Sequence, residues 1–321
     1  MPLLPAQADS PTVSIASAVG SMALAIFLFA SMNAMVKALG DTYPLSQIVF
    51  FRAFFALISI WPMVRAAGGL HSLRTEHPWG HAWRCGAGVT AMACGFAAIM
   101  LLPLANAAAL SFTAPLFTTV LAVLILGERV RWRRTLALVL GFCGVLVMLS
   151  PKLGLTGDAP ATATTEGMVL GSVLALAGAA SAALAMISIR RLSATEPSTT
   201  IVFWFMVTAC VASGILLPFQ FVVPDLKGLV LLVTIGLFGG VAQLLLTRAY
   251  RSAPVAVVAP FDYTAMLWAT LYGYLIWDEV PETAVWIGAA IVIGSGVYIT
   301  LREIRLGVSK TPPARLRGEL P

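Results

Sequence analysis

Long uninterrupted apolar runs recur along the whole chain and restrict its fold more than any other feature. Each run is long enough to cross a bilayer as a helix, about 17–25 residues, and none alternates as a barrel strand would. Only 11% of the 321 residues are charged, whereas a soluble domain carries about 25%. The sequence therefore predicts an all-α integral membrane protein with ten transmembrane helices. These helices are predicted near residues 17–39, 47–64, 85–102, 105–126, 134–150, 167–189, 200–219, 228–247, 255–277 and 282–301.

Basic residues between the runs predict the orientation. With the N-terminus in the cytoplasm, most of the 20 Lys and Arg residues lie in cytoplasmic loops and in the tail, and the outer loops hold only Lys152 and Lys227. This asymmetry follows the positive-inside rule. Met1–Pro11 has no Lys or Arg, so we expect a retained first helix rather than a cleaved signal. Both termini are predicted to be cytoplasmic, in a bacterial-type inner membrane. The net charge of +6 then reflects orientation and lipid contact, not nucleic-acid binding.

The two halves of the chain are related in sequence. Residues 98–128 align with residues 249–279 without gaps, and Glu128 meets Glu279 at the end of the alignment. Because each half has five helices, an odd number, the second half must lie upside down relative to the first. Inverted repeats of this kind are typical of secondary transporters.

A segment rich in Pro, Gly, Ala and Thr separates the halves. Such a composition is typical of a linker. We predict a first five-helix repeat at 17–150, a linker at 151–166, a second repeat at 167–301 and a cytoplasmic tail at 302–321.

The chain resembles the EamA-like permeases of the drug/metabolite transporter superfamily. The resemblance rests on Leu102-Pro103-Leu104-Ala105, Ala114-Pro115 and Leu126-Gly127-Glu128 in the first half, and on Ala253-Pro254 and Asp278-Glu279 in the second. Asp278 departs from the first copy, which has Gly127. The stretch from Ser31 to Arg52 is also similar to S-adenosylmethionine uptake carriers of that superfamily. The resemblance implies a carrier without cofactors, and other members carry amino acids, riboflavin or metallophores.

Charged residues inside the bilayer are costly and are therefore functional candidates. Asp262 is the only carboxylate well inside a predicted helix. It could couple transport to protons, bind a cationic substrate, or form a structural pair with Arg248 or Arg251. Lys37 is either a lysine that extends to the headgroups or a substrate ligand. Arg52 is assigned a structural role, with binding of an anionic substrate group as the alternative.

Polar and aromatic residues complete the candidate site. Asn33 and Gln243 would orient the solute or join two helices. Tyr263, Trp268 and Trp204 would supply aromatic faces for a flat or cationic solute. We expect the solute to lie at mid-membrane, between the first, seventh, eighth and ninth predicted helices. His71, His77 and His81 share one loop, but their spacing matches no metal site.

The sequence favours a secondary transporter that moves a small organic metabolite, such as S-adenosylmethionine or an amino-acid-like solute, by alternating access. An exporter of amino acids, drugs or metallophores is an alternative within the same fold. The sequence contains no GxxxxGK[ST] motif, so ATP is not predicted to drive transport directly. A membrane enzyme is disfavoured because intramembrane His and paired carboxylates are missing, and nothing favours a non-transporting sensor. A homodimer is left open.

Overall fold

Helices account for the regular structure in the described part of the chain, which a computed structural model provides for residues 15–126, 132–150, 163–193, 195–252 and 258–305. The helices are α1 (Ile15–Leu39), α2 (Leu45–Ala66), α3 (Pro78–Leu101), α4 (Leu104–Ser111), α5 (Ala114–Leu126), α6 (Trp132–Leu149), α7 (Ala163–Leu192), α8 (Ser198–Gln220), α9 (Leu226–Ser252), α10 (Thr264–Trp277) and α11 (Thr283–Arg305). Two short 3₁₀ helices, Gly69–Leu73 and Ala259–Tyr263, precede α3 and α10.

Seven helical segments of the described residues are long and apolar enough to cross a bilayer. They are Ser17–Leu39, Leu45–Ala66, Pro78–Leu101, Leu104–Ile125, Glu166–Leu192, Ser198–Gln220 and Leu226–Tyr250. Thr135–Leu149 and Thr283–Tyr298 are apolar but shorter. The predicted all-helical membrane fold is confirmed, whereas the count of ten spans and the cytoplasmic termini stay predictions.

The predicted helix at 105–126 is broken in the structure. It divides into α4 and α5, with Phe112 and Thr113 between them. Pro115 explains the break, because proline has no backbone N–H and its ring clashes with the carbonyl four residues earlier. The Thr113 side chain donates a 2.6 Å hydrogen bond to the Leu110 carbonyl and satisfies one end of the interrupted helix.

The predicted helix at 255–277 is α-helical from Thr264 to Trp277 in the described part of the chain. Residues 253–257 lie outside the described part, and the 3₁₀ helix Ala259–Tyr263 leads into α10. At the end of α10, Asp278 has a left-handed backbone with φ of +54°, a conformation that Asp tolerates better than most residues. The backbone N–H of Glu279 then bonds to the carbonyl of Gly273. This turn directs Glu279 back towards the helix bundle.

Helix α3 begins at Pro78, earlier than the predicted start at residue 85. Proline favours this position because the first N–H of a helix has no intrahelical partner. Arg84, which precedes the predicted helix at 85–102, is therefore a buried helical residue, 7% exposed. Its guanidinium lies 4.5 Å from the centre of the Phe205 ring on α8.

Contacts between the halves are reciprocal. Helix α3 of the first half packs on α7, and α1 packs on α9, while α2 packs on α8, α4 on α10 and α6 on α11. Two halves related by a pseudo-twofold axis would pair in this way. The α3–α7 and α1–α9 contacts are equivalent to each other, and each of the other three contacts joins a helix to its own counterpart. Glycines allow the closest crossing: a Cβ on Gly144 would lie 2.9 Å from the Gly288 carbonyl oxygen. The hydrophobic core is thus shared between the halves.

Candidate functional site

A cavity of about 310 Å³ lies between the halves, where α1, α3 and α4 of the first half face α7 and α10 of the second. It falls at the lower end of the range of small-molecule pockets, about 300–1,000 Å³. Its two aromatic wall residues are Phe29 and Phe96. The sequence analysis expected the first, seventh, eighth and ninth predicted helices here. The first and ninth contribute, but the third, fourth and sixth replace the seventh and eighth.

Small side chains create the space. Ala108 on α4 and Ala182 on α7 line the cavity together with several other alanines. Gly178 of α7 packs on α3 so closely that a Cβ there would lie 3.3 Å from the Gly95 backbone nitrogen. Small residues of this kind let helices approach each other in a membrane. Larger residues at these positions would fill the cavity.

Asn33 and Ser111 are the polar side chains among the described residues of the cavity wall. The Ser111 hydroxyl donates a 2.7 Å hydrogen bond to the Ala108 carbonyl, so it is satisfied within its own helix. The Asn33 amide is half-buried, and no described residue hydrogen-bonds to it. Of the polar residues named by the sequence analysis, Asn33 alone faces the cavity in the described part of the chain.

Lys37 lies one turn beyond Asn33 on α1 and forms an ion pair between the halves. Its Nζ is 2.6 Å from Glu279 Oε1 and donates a 2.6 Å hydrogen bond to the Leu102 carbonyl. It also lies 5.4 Å from the centre of the Trp277 ring. The side chains of Lys37 and Glu279 are 11% and 20% exposed. Lys37 is thus held by protein groups rather than extended to the headgroups.

Glu279 completes this cluster through its second oxygen. Oε2 accepts a 2.9 Å hydrogen bond from the backbone N–H of Leu104, at the start of α4. A carboxylate is favourable there because the first N–H groups of a helix are unpaired and carry partial positive charge. The side chain of Leu104 lines the cavity. The Lys37–Glu279 pair therefore lies next to the cavity, at the α3–α4 junction. Glu128, its sequence counterpart, lies outside the described residues.

Asp262 lies in the 3₁₀ helix before α10, three residues ahead of Ala265 in the cavity wall. Its Oδ2 accepts a 2.9 Å hydrogen bond from the Tyr250 hydroxyl on α9. Among the described residues no ion pair joins it to Arg248, and the Arg251 side chain is outside the described part. Its described partner is thus a tyrosine, and a pair with Arg251 stays one of the alternatives given by the sequence. Asp262 lies at the opposite end of the cavity from the Lys37–Glu279 pair.

The aromatic candidates lie beside the cavity instead of in its wall. The Tyr263 ring packs edge-on at 5.2 Å from Phe112, next to the α4–α5 break. Trp268 packs edge-on at 5.0 Å from Phe27 of α1. The Tyr272 hydroxyl lies 2.7 Å from the Ser31 hydroxyl of α1. These rings join α10 to the first half.

Trp204 and Gln243 are removed from the cavity. The indole N–H of Trp204 donates a 2.9 Å hydrogen bond to the Leu73 carbonyl and fixes the segment before α3. Gln243 lines a very small space with residues of α2 and α8. Both were predicted from residue type alone, which does not show the direction in which a helical side chain points.

Arg52 is buried without a carboxylate partner in the described part of the chain. It is 6% exposed, and its Nη1 lies 2.9 Å from the Met206 sulfur on α8. Among the described residues its Nε has no hydrogen-bond partner, and a Cβ on Gly239 of α9 would lie 3.2 Å from it. These contacts join α2 to α8 and α9, away from the cavity wall.

Replacing Arg52 with methionine is expected to leave the thermal unfolding midpoint unchanged or to raise it. Replacing a buried ion pair by well-packed apolar side chains is often neutral or stabilising by about 1–4 kcal/mol, and a buried charge without a described partner has still less attraction to lose. The measurement is thermal unfolding in one detergent, with the exposed Arg65→Met as the control. A clear fall in the midpoint for Arg52→Met alone would show that the guanidinium is paired with an anion.

Glu196 joins the loop between α7 and α8 to the segment before α3. Its Oε1 accepts hydrogen bonds from the Thr75 hydroxyl at 2.6 Å and from the Glu76 backbone N–H at 3.2 Å. His81 Nε2 lies 3.6 Å from Oε2. Burial alone would raise the pKa of Glu196, but these hydrogen bonds and the nearby His81 hold it below its ordinary value. Of the three histidines predicted to share a loop, His81 instead lies in α3 and is in contact with a carboxylate. No group of three or more metal-binding side chains occurs among the described residues.

The depressed pKa predicts acid-dependent stability. A group with a lowered folded-state pKa stabilises the protein above its unfolded pKa, about 4.3 for Glu, and loses that contribution as the pH falls through the folded value. Glu196→Gln should lower the unfolding midpoint at pH 7, and the difference from wild type should shrink below about pH 4. Thermal unfolding across that range checks this. A difference independent of pH would contradict the assigned role of the carboxylate charge.

The sequence of this chain is similar to a known family and to several proteins of named function. The sequence profile of the EamA-like transporter family matches residues 16–150 and 169–302. The pseudopaline exporter CntI of Pseudomonas aeruginosa is 32% identical over 294 residues, covering 89% of this chain and 94% of that protein. A riboflavin transporter of Rhizobium johnstonii is 31% identical over 88% of this chain and 91% of that protein.

One further relative and one solved structure are also similar to this chain. An S-adenosylmethionine uptake transporter of Rickettsia prowazekii is 29% identical over 87% of this chain and 90% of that protein. A solved crystal structure with 21% identity superposes with a TM-score of 0.62, covering 91% of this chain and 99% of the other. At that identity the superposition shows the fold alone.

Proposed function

Because the chain belongs to the EamA-like transporter family, we propose that it is a secondary transporter that moves a small organic metabolite across the inner membrane by alternating access. Its relatives are named as transporters of small molecules, not as enzymes. The observation that carries the proposal is the cavity between the halves, with its wall built from both. A solute bound there would contact both halves, so their relative movement could expose it to either side.

The two ends of the cavity supply a mechanism for this movement. In the proposed orientation, the Lys37–Glu279 pair and the Leu102 and Leu104 backbone groups close the outer end. Outward opening requires these contacts to break, because they join α1 and α4 of one half to the residue after α10 of the other. The structure then represents an outward-closed state. We further propose that Asp262, at the inner end, carries the proton in proton-coupled transport.

Counterflow in proteoliposomes tests the proposal. Vesicles are preloaded with one metabolite at a time, including riboflavin, S-adenosylmethionine and aromatic amino acids, and the entry of the labelled compound is followed. The assay measures exchange and therefore detects an importer and an exporter equally. We expect saturable exchange with one of these solutes above protein-free vesicles. No exchange with any of them, from protein with an intact cooperative unfolding transition, would contradict the proposal for this set of solutes.

A further inference from the structure

The charged side chains near the cavity are held by other protein groups or lie away from its wall. No charged side chain belongs to its wall among the described residues. Lys37 and Glu279, at its outer end, neutralise each other at 2.6 Å. The Arg52 guanidinium packs on Met206 of α8, and the Asp262 carboxylate accepts the hydrogen bond of Tyr250. A solute in the cavity therefore meets no free counter-charge from the described residues.

An apolar wall of this kind penalises a charged solute. An ion that leaves water for such an environment loses its hydration and needs a partner charge with several hydrogen bonds in exchange. Asn33 and Ser111 cannot supply this, because the Ser111 hydroxyl already donates to the Ala108 carbonyl. Among the described wall residues, the neutral Asn33 amide remains, with the Ser111 oxygen as an acceptor only.

The Asn33 amide suits a neutral polar group of a solute rather than a charged one. The side chain of Asn33 offers both donors and an acceptor, and no described residue occupies them. The rings of Phe29 and Phe96 and the alanines around them give the rest of the wall an apolar surface. Such a wall fits a flat apolar body, and the amide fits a polar edge that both donates and accepts hydrogen bonds.

We infer that the cavity selects an uncharged solute with a flat, largely apolar body and one polar edge bound by Asn33. The inference rests on the proposed transport function and specifies the substrate class of the same cavity. Asn33 is thus the residue that orients the solute, and the missing counter-charge is what excludes ions.

Pairs of solutes that differ mainly in charge test the inference. Riboflavin is compared with its phosphate ester, flavin mononucleotide, and 5′-methylthioadenosine is compared with the sulfonium cation S-adenosylmethionine. Counterflow and equilibrium binding of each labelled compound are measured on the same preparation. We expect the neutral member of at least one pair to bind and exchange about tenfold or more better than its charged partner. A charged member that equals or exceeds its neutral partner in both pairs would overturn the inference and leave the transport proposal intact. Failure of all four would count against the transport proposal and against the inference that rests on it.

Variants at Asn33 test the role assigned to its amide. Asn33→Asp keeps the shape and adds a negative charge, so exchange of the neutral solute should fall about tenfold while the preference moves towards the cation. Asn33→Ala should also lower neutral exchange. The matched control is Gln243→Ala, which removes an amide from outside the cavity and should leave exchange within about twofold of wild type. Equal effects of Asn33→Ala and Gln243→Ala would overturn the assignment. Unfolding midpoints show that each variant is folded.

Discussion

Lys37→Met is expected to open the end of the cavity that is proposed to face outside, and to raise the accessibility of the cavity from that side by about tenfold or more. The variant keeps an apolar chain of similar length but removes the charge that pairs with Glu279 at 2.6 Å. Exposed ion pairs contribute up to about 1 kcal/mol and the loss of one partner of a buried pair costs about 3–5 kcal/mol. For the partly buried Lys37–Glu279 pair we expect an intermediate free energy, about 2 kcal/mol. Its loss would shift the equilibrium between closed and open states about thirtyfold towards the open state.

A single reactive cysteine measures this opening. The four cysteines of the chain, Cys85, Cys94, Cys143 and Cys210, are first replaced by alanine or serine. Ala107→Cys then places a thiol in the cavity wall, just below Leu104. Its rate of reaction with a membrane-impermeant maleimide is measured in right-side-out vesicles, with and without Lys37→Met or Glu279→Gln.

Matched variants separate the ion pair from general charge effects. Lys227→Met removes a basic residue from the predicted outer loop that the structure places at the start of α9, away from Glu279, and should not change the labelling rate. The double variant Lys37→Met/Glu279→Gln should label no faster than the single variants, because two partners of one contact are coupled. An unchanged rate in both single variants would show that this pair does not close the cavity.

The second large effect is expected at Asp262. Asp262→Asn keeps the hydrogen bond with Tyr250 sterically feasible but removes the group that could gain and lose a proton. If Asp262 couples transport to protons, uptake driven by a pH gradient should fall by about tenfold or more, equal to about 1.4 kcal/mol. Counterflow, which needs no gradient, should continue, because Asp262 lies outside the cavity wall.

Two measurements on the same vesicles distinguish coupling from binding. Loss of gradient-driven uptake with preserved counterflow supports coupling through Asp262. Loss of both would place Asp262 in solute binding or in the conformational change. Wild-type uptake with the wild-type pH dependence would remove Asp262 from the mechanism. Tyr250→Phe is the companion variant, since it removes the hydrogen bond seen at 2.9 Å and leaves the carboxylate in place.

The sequence predicts the helical membrane fold because long apolar runs have few alternatives in a bilayer. The sequence also contains Pro115, which causes the break between α4 and α5. The prediction of one continuous helix at 105–126 did not take this proline into account. The Lys37–Glu279 pair was missed because the two residues are far apart in the chain and no local pattern links them. Lys37 was interpreted singly, as a headgroup contact or a ligand, and Glu279 was named only for its position in the repeat and in the family resemblance. The structure provides both a lysine and a helix end for Glu279.

The cavity itself could not be predicted for a different reason. Its wall consists mainly of alanines such as Ala108 and Ala182, and alanine in a membrane helix equally favours tight packing. Only the arrangement in space distinguishes a packed alanine from one that faces a void. Residue type did identify Asn33, because an amide in an apolar helix needs a partner. The same argument selected Gln243, which lies elsewhere.

We propose that the solute passes through the cavity between the halves. Filling this cavity with a larger side chain tests that proposal. Ala108→Trp places a large ring in the cavity wall, whereas Ala212→Trp adds the same ring to an exposed position of α8. Counterflow of the exchanged solute is measured for both variants and for wild type, at equal amounts of folded protein. We predict that Ala108→Trp lowers exchange by about tenfold or more and that Ala212→Trp stays within about twofold of wild type. Exchange at the wild-type rate in folded Ala108→Trp would contradict the claim that the solute passes through this cavity.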